Sequence, residues 1–171
     1  MTNIELARAL HDLWNTGNLD LIEQVYAHNF VAHWPPSSEV PERRGLEGIR
    51  FGITRIRSAF PDWHEEVLDM FGSSDRVVTR YISTGTHLGP FWGIAPTGRR
   101  IEMHEISIFR CSKGRIVEQW RMCDDLARLQ CESAPSRGSS AILVQSSVGF
   151  IRLERGGRVA DRAWRDHTSG A

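Results

Sequence analysis

The sequence predicts an α+β fold. Apolar residues recur at helical spacing through the first sixty positions, and from Trp63 to Asp124 the period changes to about two. Gly, Ser and Pro clusters punctuate the period-two stretches at short intervals. Helices gathered early and strands gathered late fit helices packed on one face of an antiparallel sheet, with room for a cavity between the layers.

The elements follow in order. Leu6, Ala7, Leu10, Leu13 and Trp14 make one face of a first helix, which Gly17 ends as a left-handed cap. Leu19 to Ala27 reads as a second short helix, and Asn29 to Trp34 as a strand stopped by Pro35 and Pro36. Residues 37–44 read as a polar loop. Leu46, Ile49, Ile53, Ile56 and Phe60 mark a third helix, closed by Pro61. Trp63 to Phe71 and Arg76 to His87 are strands flanking a Gly72-Ser73-Ser74-Asp75 turn. Arg100 to Cys111 and Arg115 to Asp124 form a hairpin about Ser112-Lys113-Gly114. Asp125 to Cys131 returns to helical spacing. These readings give a domain over 1–131, a Ser/Pro/Gly linker over 132–140 and a C-terminal extension over 141–171. The extension reads as a hairpin or as disorder, and Gly157-Arg158-Val159 faintly echoes Gly114-Arg115-Ile116.

Composition excludes several classes. The 171 residues carry 21 basic and 21 acidic side chains, a poor electrostatic match for nucleic acid. No apolar run approaches the roughly 20 residues that span a bilayer, and the N-terminus lacks a signal-peptide pattern, so a cytoplasmic protein is expected. Three cysteines without paired spacing, and no HExxH or HxH pattern, argue against a metal site. Six Trp residues require a core or an aromatic-lined cavity.

Seven stretches in order resemble a known family. They are residues 13–20, Phe30-Val31-Ala32-His33, Gly45-Leu46-Glu47-Gly48, Phe60-Pro61-Asp62-Trp63, residues 85–89, residues 93–100, and residues 114–120 followed by Asp124. Together they resemble the SnoaL-like polyketide cyclases of the nuclear-transport-factor-2-like superfamily, over about residues 3–131. The resemblance implies a cone-shaped, strongly curved antiparallel sheet wrapped over the helices and enclosing an apolar pocket. It implies a cofactor-independent lyase or isomerase that closes a ring in a small hydrophobic, polyketide-like substrate by aldol condensation. It also suggests a homodimer paired through the outer sheet face.

That chemistry needs a base for a proton α to a carbonyl and an acid for the resulting alkoxide. A buried carboxylate can serve as both, because desolvation lifts its pKa from about 3.9 toward neutrality. Asp124 is the leading candidate, since it shares parity with Trp120 and Met122 and follows Glu118-Gln119-Trp120 as the family's catalytic Asp does. It could instead cap a following helix, and Asp125 could be the inward member of the pair. His104 is the second candidate, as the residue that polarises a carbonyl. A three-residue turn sets Cys111 opposite Arg115, so His104 faces Met122 and Ile106 faces Trp120. A two-residue turn flips the parity and brings Glu105 to that face. His33, Trp34, His87, Trp92, Trp120 and Met122 are expected to bind substrate, Trp92 as a lid. Arg80 reads as a buried structural group paired with Glu102 or Glu118, and His11, His28, His64 and His167 as surface residues. Two other readings stay open. One is an epoxide hydrolase of the limonene-epoxide type built on Arg100, Glu102 and Asp124. The other is a non-catalytic binding or dimerisation module.

Overall fold

A computed structural model describes residues 1–34, 42–91, 93–124, 141–146 and 149–154. Helix α1 runs Asn3–Thr16 and is closed at both ends by its own sequence. Thr2 and Glu5 form a reciprocal capping box, and Gly17 turns the chain out at φ 69°. A Cβ at Gly17 would stand 2.4 Å from the Cδ of Arg57. Arg57 needs that space, since it donates to the carbonyls of Asn15 and Pro61 and ties the two long helices together.

The expected second helix is shorter than the sequence suggests. A 3₁₀ turn at Leu19–Leu21 and α2 at Ile22–Val25 give way to strand β1, Tyr26–His33. Tyr26 is pulled into the sheet by burial: its hydroxyl accepts from Trp14 Nε1 at 3.0 Å and its ring packs edge-on against Phe30. The segment read as loop contains a strand, β2 (Glu42–Arg44), which pairs with β1 and leads into α3, Gly45–Ala59.

Strands β3 (His64–Ser73), β4 (Arg76–Thr86), β5 (Arg100–Ser112) and β6 (Arg115–Cys123) form the antiparallel run. The sheet has six strands in the order β2-β1-β6-β5-β4-β3, and it is mixed because β1 pairs parallel with β6. The helices cover one face. Leu6, Leu10, Leu13, Ile22, Ile49 and Ile53 meet Phe30, Val77, Phe109 and Ile116 in the main core. Asn15 docks α1 onto β3 by gripping the backbone N–H and carbonyl of Glu65, at 2.6 and 3.0 Å.

The β5–β6 hairpin decides which residues meet. Lys113 and Gly114 both have positive φ, so the turn has two residues and Ser112 pairs with Arg115. A bulge between Arg110 and Cys111 then shifts the ladder, so that Ile106 faces Met122 and Ile108 faces Trp120. The expected pairing of His104 with Met122 is therefore displaced by two residues.

The chain divides into two compact units, Met1–Ala134 and Pro135–Ala171. Within the second, β7 (Ala141–Ser146) pairs antiparallel with β8 (Gly149–Glu154). The helix anticipated over 125–131, the linker over 132–140 and the Gly157 echo lie outside the described residues.

Candidate active site

The sequence suggests that Trp120, Met122 and Asp124 lie on the helix-covered face, and the structure corrects that. Met122 is 68% exposed, and Ile106 and Ile108 beside it are also exposed. Asp124 is exposed, and its backbone N–H donates to the carbonyl of His104 at 3.1 Å. The His104 side chain is 62% exposed and lies 3.5 Å from Glu102. Trp120 is half-buried on the same open face, stacked on His33 with ring centroids 5.3 Å apart, and Arg76 sits over it at 4.8 Å. His33 also bonds Glu118 at 2.9 Å, and Glu118 accepts from Arg110 at 2.8 Å. These two hydrogen bonds hold the Glu118 carboxyl below the usual carboxylate range.

The other expectations separate in the same way. Arg80 is half exposed and pairs with Asp69, at 2.6 Å from Nε, rather than with Glu102 or Glu118. Arg100 reaches Asp62 Oδ2 at 3.6 Å and donates to the Thr84 hydroxyl at 3.2 Å. His87 is fully buried, stacked on Phe60, with Nδ1 3.2 Å from the Thr97 hydroxyl and its backbone bonded to Arg99 and Gly98. That is a loop anchor. Trp92 lies outside the described residues. His11, expected at the surface, is 3% exposed.

The covered face instead carries a polar network that the strand pattern does not announce. Glu105 on β5 is 2% exposed. Its Oε2 accepts from Arg121 Nε on β6, and from the Tyr81 hydroxyl on β4 at 3.3 Å. Tyr81 lies 3.1 Å from Ser107 Oγ, which also accepts from Gln119 Nε2 at 3.1 Å. The direction is consistent throughout: Gln119 donates to Ser107, Ser107 to Tyr81, and Tyr81 to Glu105. The other carboxylate oxygen, Oε1, is buried without a hydrogen-bond partner, as is the hydroxyl of Ser83 on the same face.

Electrostatics fix the protonation of Glu105's partners. Burial, reinforced by the Glu105 charge, pushes the Tyr81 phenol well above its usual value, so it remains a donor. Burial opposes the charge on Arg121, but the Glu105 carboxylate outweighs it, with Tyr81 and Cys123 adding to the effect, and the guanidinium is held charged. A second pair backs the first. His11 Nδ1 lies 2.6 Å from Glu65 Oε2, His11 Nε2 lies 3.3 Å from Thr79 Oγ1, and the His11 ring packs edge-on against Tyr81. Among the described residues, Trp34 is the predicted substrate-binding residue that joins this site. It follows β1 with the parity opposite to His33, and Arg121 sits 5.7 Å from its ring.

A signal for this network is present in the sequence. Glu105 and Ser107, Gln119 and Arg121, and Thr79, Tyr81 and Ser83 are polar or half-polar side chains at period two on three neighbouring strands. Such a row ordinarily marks the solvent face, which is why alternation alone does not point to it. Among the described residues no group of three or more His, Cys, Asp or Glu could hold a metal ion, and no helix is long and apolar enough to cross a membrane.

Helices over one face of a curved mixed sheet, with buried ionisable groups between the layers, define a nuclear-transport-factor-2-like cone. The SnoaL-like polyketide cyclase family model matches residues 4–130, and the chain belongs to that family. It is 29% identical over 115 residues to the aklanonic acid methyl ester cyclase DauD of Streptomyces sp. (strain C5), covering 66% of this chain and 70% of DauD. It is 28% identical over 116 residues to DnrD of Streptomyces peucetius, of the same name, covering 67% of this chain and 79% of DnrD. Among solved structures, wild-type IdmH of Streptomyces antibioticus superposes with a TM-score of 0.67 at 30% identity, covering 78% of this chain and all of IdmH.

Proposed function

We propose that the chain is a cyclase that closes a ring in a polyketide-like ester by proton transfer, in an intramolecular aldol condensation. The support is family membership, the two relatives named for cyclising aklanonic acid methyl ester, and one observation in the site. That observation is Glu105: a buried carboxylate with one oxygen committed to Arg121 and Tyr81 and the other without a partner. In this reading Oε1 removes the proton α to a carbonyl. The enolate carbon then bonds to a second carbonyl carbon, whose oxygen becomes an alkoxide and takes the proton back from Glu105. Arg121 offers a fixed positive charge to the developing oxyanion, and Tyr81 holds the carboxylate in place. Proton movement between side chain and substrate completes the step. A homodimer remains part of the proposal, with the exposed apolar row Phe71, Ile106, Ile108 and Met122 of the open face as its contact.

The test compares two sets of variants on a polyketide methyl ester of the aklanonic type. Glu105→Gln is expected to lower kcat by about 100-fold or more in protein that remains folded, the usual scale for loss of an acid–base group. It is expected to lower the melting temperature as well, because Arg121 loses its buried counter-charge. Asp124→Asn and His104→Ala are expected to stay within about threefold. The opposite pattern would move the chemistry to the open end of the β5–β6 hairpin.

A further inference from the structure

Two buried groups without a hydrogen-bond partner flank Glu105: the Ser83 hydroxyl and Trp34 Nε1. Ser83 and Glu105 are 0% and 2% exposed. Sheet order sets the arrangement, since β1, β6, β5 and β4 are successive neighbours. Trp34 follows the pairing of His33 with Trp120, so it stands beside Arg121, which bonds Glu105. On the other side, Tyr81 pairs with Glu105 and Ser83 with Met103. Ser83 is therefore the diagonal neighbour of Glu105 on the covered face, with their backbones about 7–8 Å apart.

Both groups differ from their own kind elsewhere in the fold. Along β4, Thr79 reaches His11 and Tyr81 reaches Glu105 and Ser107, but Ser83, next in the same row, bonds nothing. Its cross-strand neighbours cannot serve it. Both oxygens of Glu65 are taken, by His11 and by Trp63, and Met103 offers only a thioether. Trp14 and Trp63 each place their Nε1 donor on an oxygen, and Trp34 does not. A buried polar group left unbonded costs folding stability, so two of them beside a half-bonded carboxylate mark groups kept for a ligand. Their chemistry is ordered: an indole N–H donates, a carboxylate oxygen accepts, and a serine hydroxyl can donate. One acceptor thus stands between two donors.

We infer that Ser83 and Trp34 divide the two carbonyl oxygens of the substrate between them, Ser83 holding that of the carbon acid and Trp34 that of the carbonyl attacked. The inference rests on the cyclase reading and on Glu105 as its base. When Glu105 Oε1 takes the α proton, the C–H electron pair moves into the new C=C bond and the carbonyl oxygen becomes an enolate oxygen. The Ser83 O–H donates a hydrogen bond to that oxygen and keeps its own proton. The enolate carbon then bonds to the second carbonyl carbon, whose oxygen becomes an alkoxide. Trp34 Nε1, beside Arg121, donates to that alkoxide until it takes the proton from Glu105. Donors fixed in a buried site favour charge as it develops, because they need no reorganisation. Both contacts are to neutral carbonyl oxygens in the ground state, so the site suits an ester or ketone.

The test splits the reaction into its halves on the full chain. The first half is exchange of the α hydrogens of 2-tetralone in deuterated water, followed by proton NMR, which needs a base and an enolate but no second carbonyl. The second is ring closure of a polyketide methyl ester of the aklanonic type. Ser83→Ala is expected to lower exchange and ring closure alike by about 100-fold, the scale for loss of an oxyanion donor. Its melting temperature should not fall, because the hydroxyl removed bonds nothing in the fold. Trp34→Phe should lower ring closure at least tenfold more than it lowers exchange. Exchange within about threefold of wild type in Ser83→Ala overturns the inference, as does a lower melting temperature that accounts for the lost activity. Equal losses of both activities in Trp34→Phe overturn the division of roles. Ser83→Ala decides the matter even if Trp34→Phe fails to fold. Glu105→Gln separates the two readings. Exchange abolished in Glu105→Gln but untouched in Ser83→Ala overturns this inference and leaves the cyclase reading standing. Exchange retained in Glu105→Gln but lost in Ser83→Ala supports the role of Ser83 and defeats Glu105 as the base.

Discussion

His11 and Glu65 meet at 2.6 Å between α1 and β3, both buried. The contact joins the first helix to the far edge strand, and Trp63 Nε1 adds a bond to the other Glu65 oxygen at 3.4 Å. His11→Ala leaves the Glu65 carboxylate buried with a partner removed. A loss of about 3 kcal/mol is expected, which is about 6–12 °C in melting temperature for a chain of this size. Urea denaturation measures it, and a loss below about 1 kcal/mol would show that the pair is dispensable.

Tyr81 reaches Glu105 without being proposed to touch the reacting carbon. Tyr81→Phe removes one hydrogen bond to the base and keeps the ring against His11. The expectation is a kcat lowered about tenfold with KM changed less than about threefold, the signature of a group acting in the chemical step. A change confined to KM would assign Tyr81 to substrate binding.

The loop after β4 packs without clearance on the end of α3. A Cβ at Gly89 would lie 2.1 Å from the Ser58 carbonyl oxygen, while the Gly89 N–H donates to Ala59 at 3.0 Å. Gly89→Ala must shift one backbone or the other, and a cost of about 1–3 kcal/mol is expected. Thermal unfolding should show it, and a neutral substitution would mean that the loop yields freely.

Acid sensitivity follows from two depressed carboxyls. The Thr86 backbone N–H and hydroxyl donate to Asp62 at 2.6 and 2.7 Å and lower its pKa, as His33 and Arg110 lower that of Glu118. Each folded-state pKa lies below its unfolded value, so the unfolded chain takes up protons first. The stability from these bonds is present above about pH 4–5 and is lost as pH falls through the folded values. Both groups are partly exposed, so the effect is modest. Asp62→Asn should flatten the fall in melting temperature between about pH 5 and pH 3, and an unchanged slope would remove Asp62 from the account.

The proposed dimer has its own test. Charging the open face with Ile108→Glu and Met122→Glu should yield a monomer by light scattering, with helix content retained. A wild-type chain that is already monomeric at tens of micromolar would end that part of the proposal.

Local pattern makes much of this legible. The caps and apolar spacing of α1 and α3, the glycine-bearing turn after Ser112 and the period of β3 to β6 are short-range properties, written within a few residues of where they act. Tyr26 and β2 escape a local reading because their strand character comes from partners distant in sequence: Ile116 on β6 for the first and β1 for the second. For the site, the sequence sorts the residues into two alternating sets. Trp120 and Met122 fall with His104 and Asp124, the parity that the three-residue turn predicts and that the bulge restores, while Glu105 falls with Arg121 and Cys123 on the other face.

What the sequence determined by itself was which residues of one strand share a face, because alternation along a strand is a property of the backbone. Only the tertiary structure decided which set is covered. The ordinary guide, apolar inward and polar outward, points the wrong way here. The open face bears Ile106, Ile108 and Met122, and the covered face bears Glu105, Ser107, Gln119 and Arg121. A buried polar row is stable only when its members bond to one another, and they do so across three strands. That satisfaction depends on strand order and on the register set by the bulge at Arg110 and Cys111, neither of which a single strand's sequence contains.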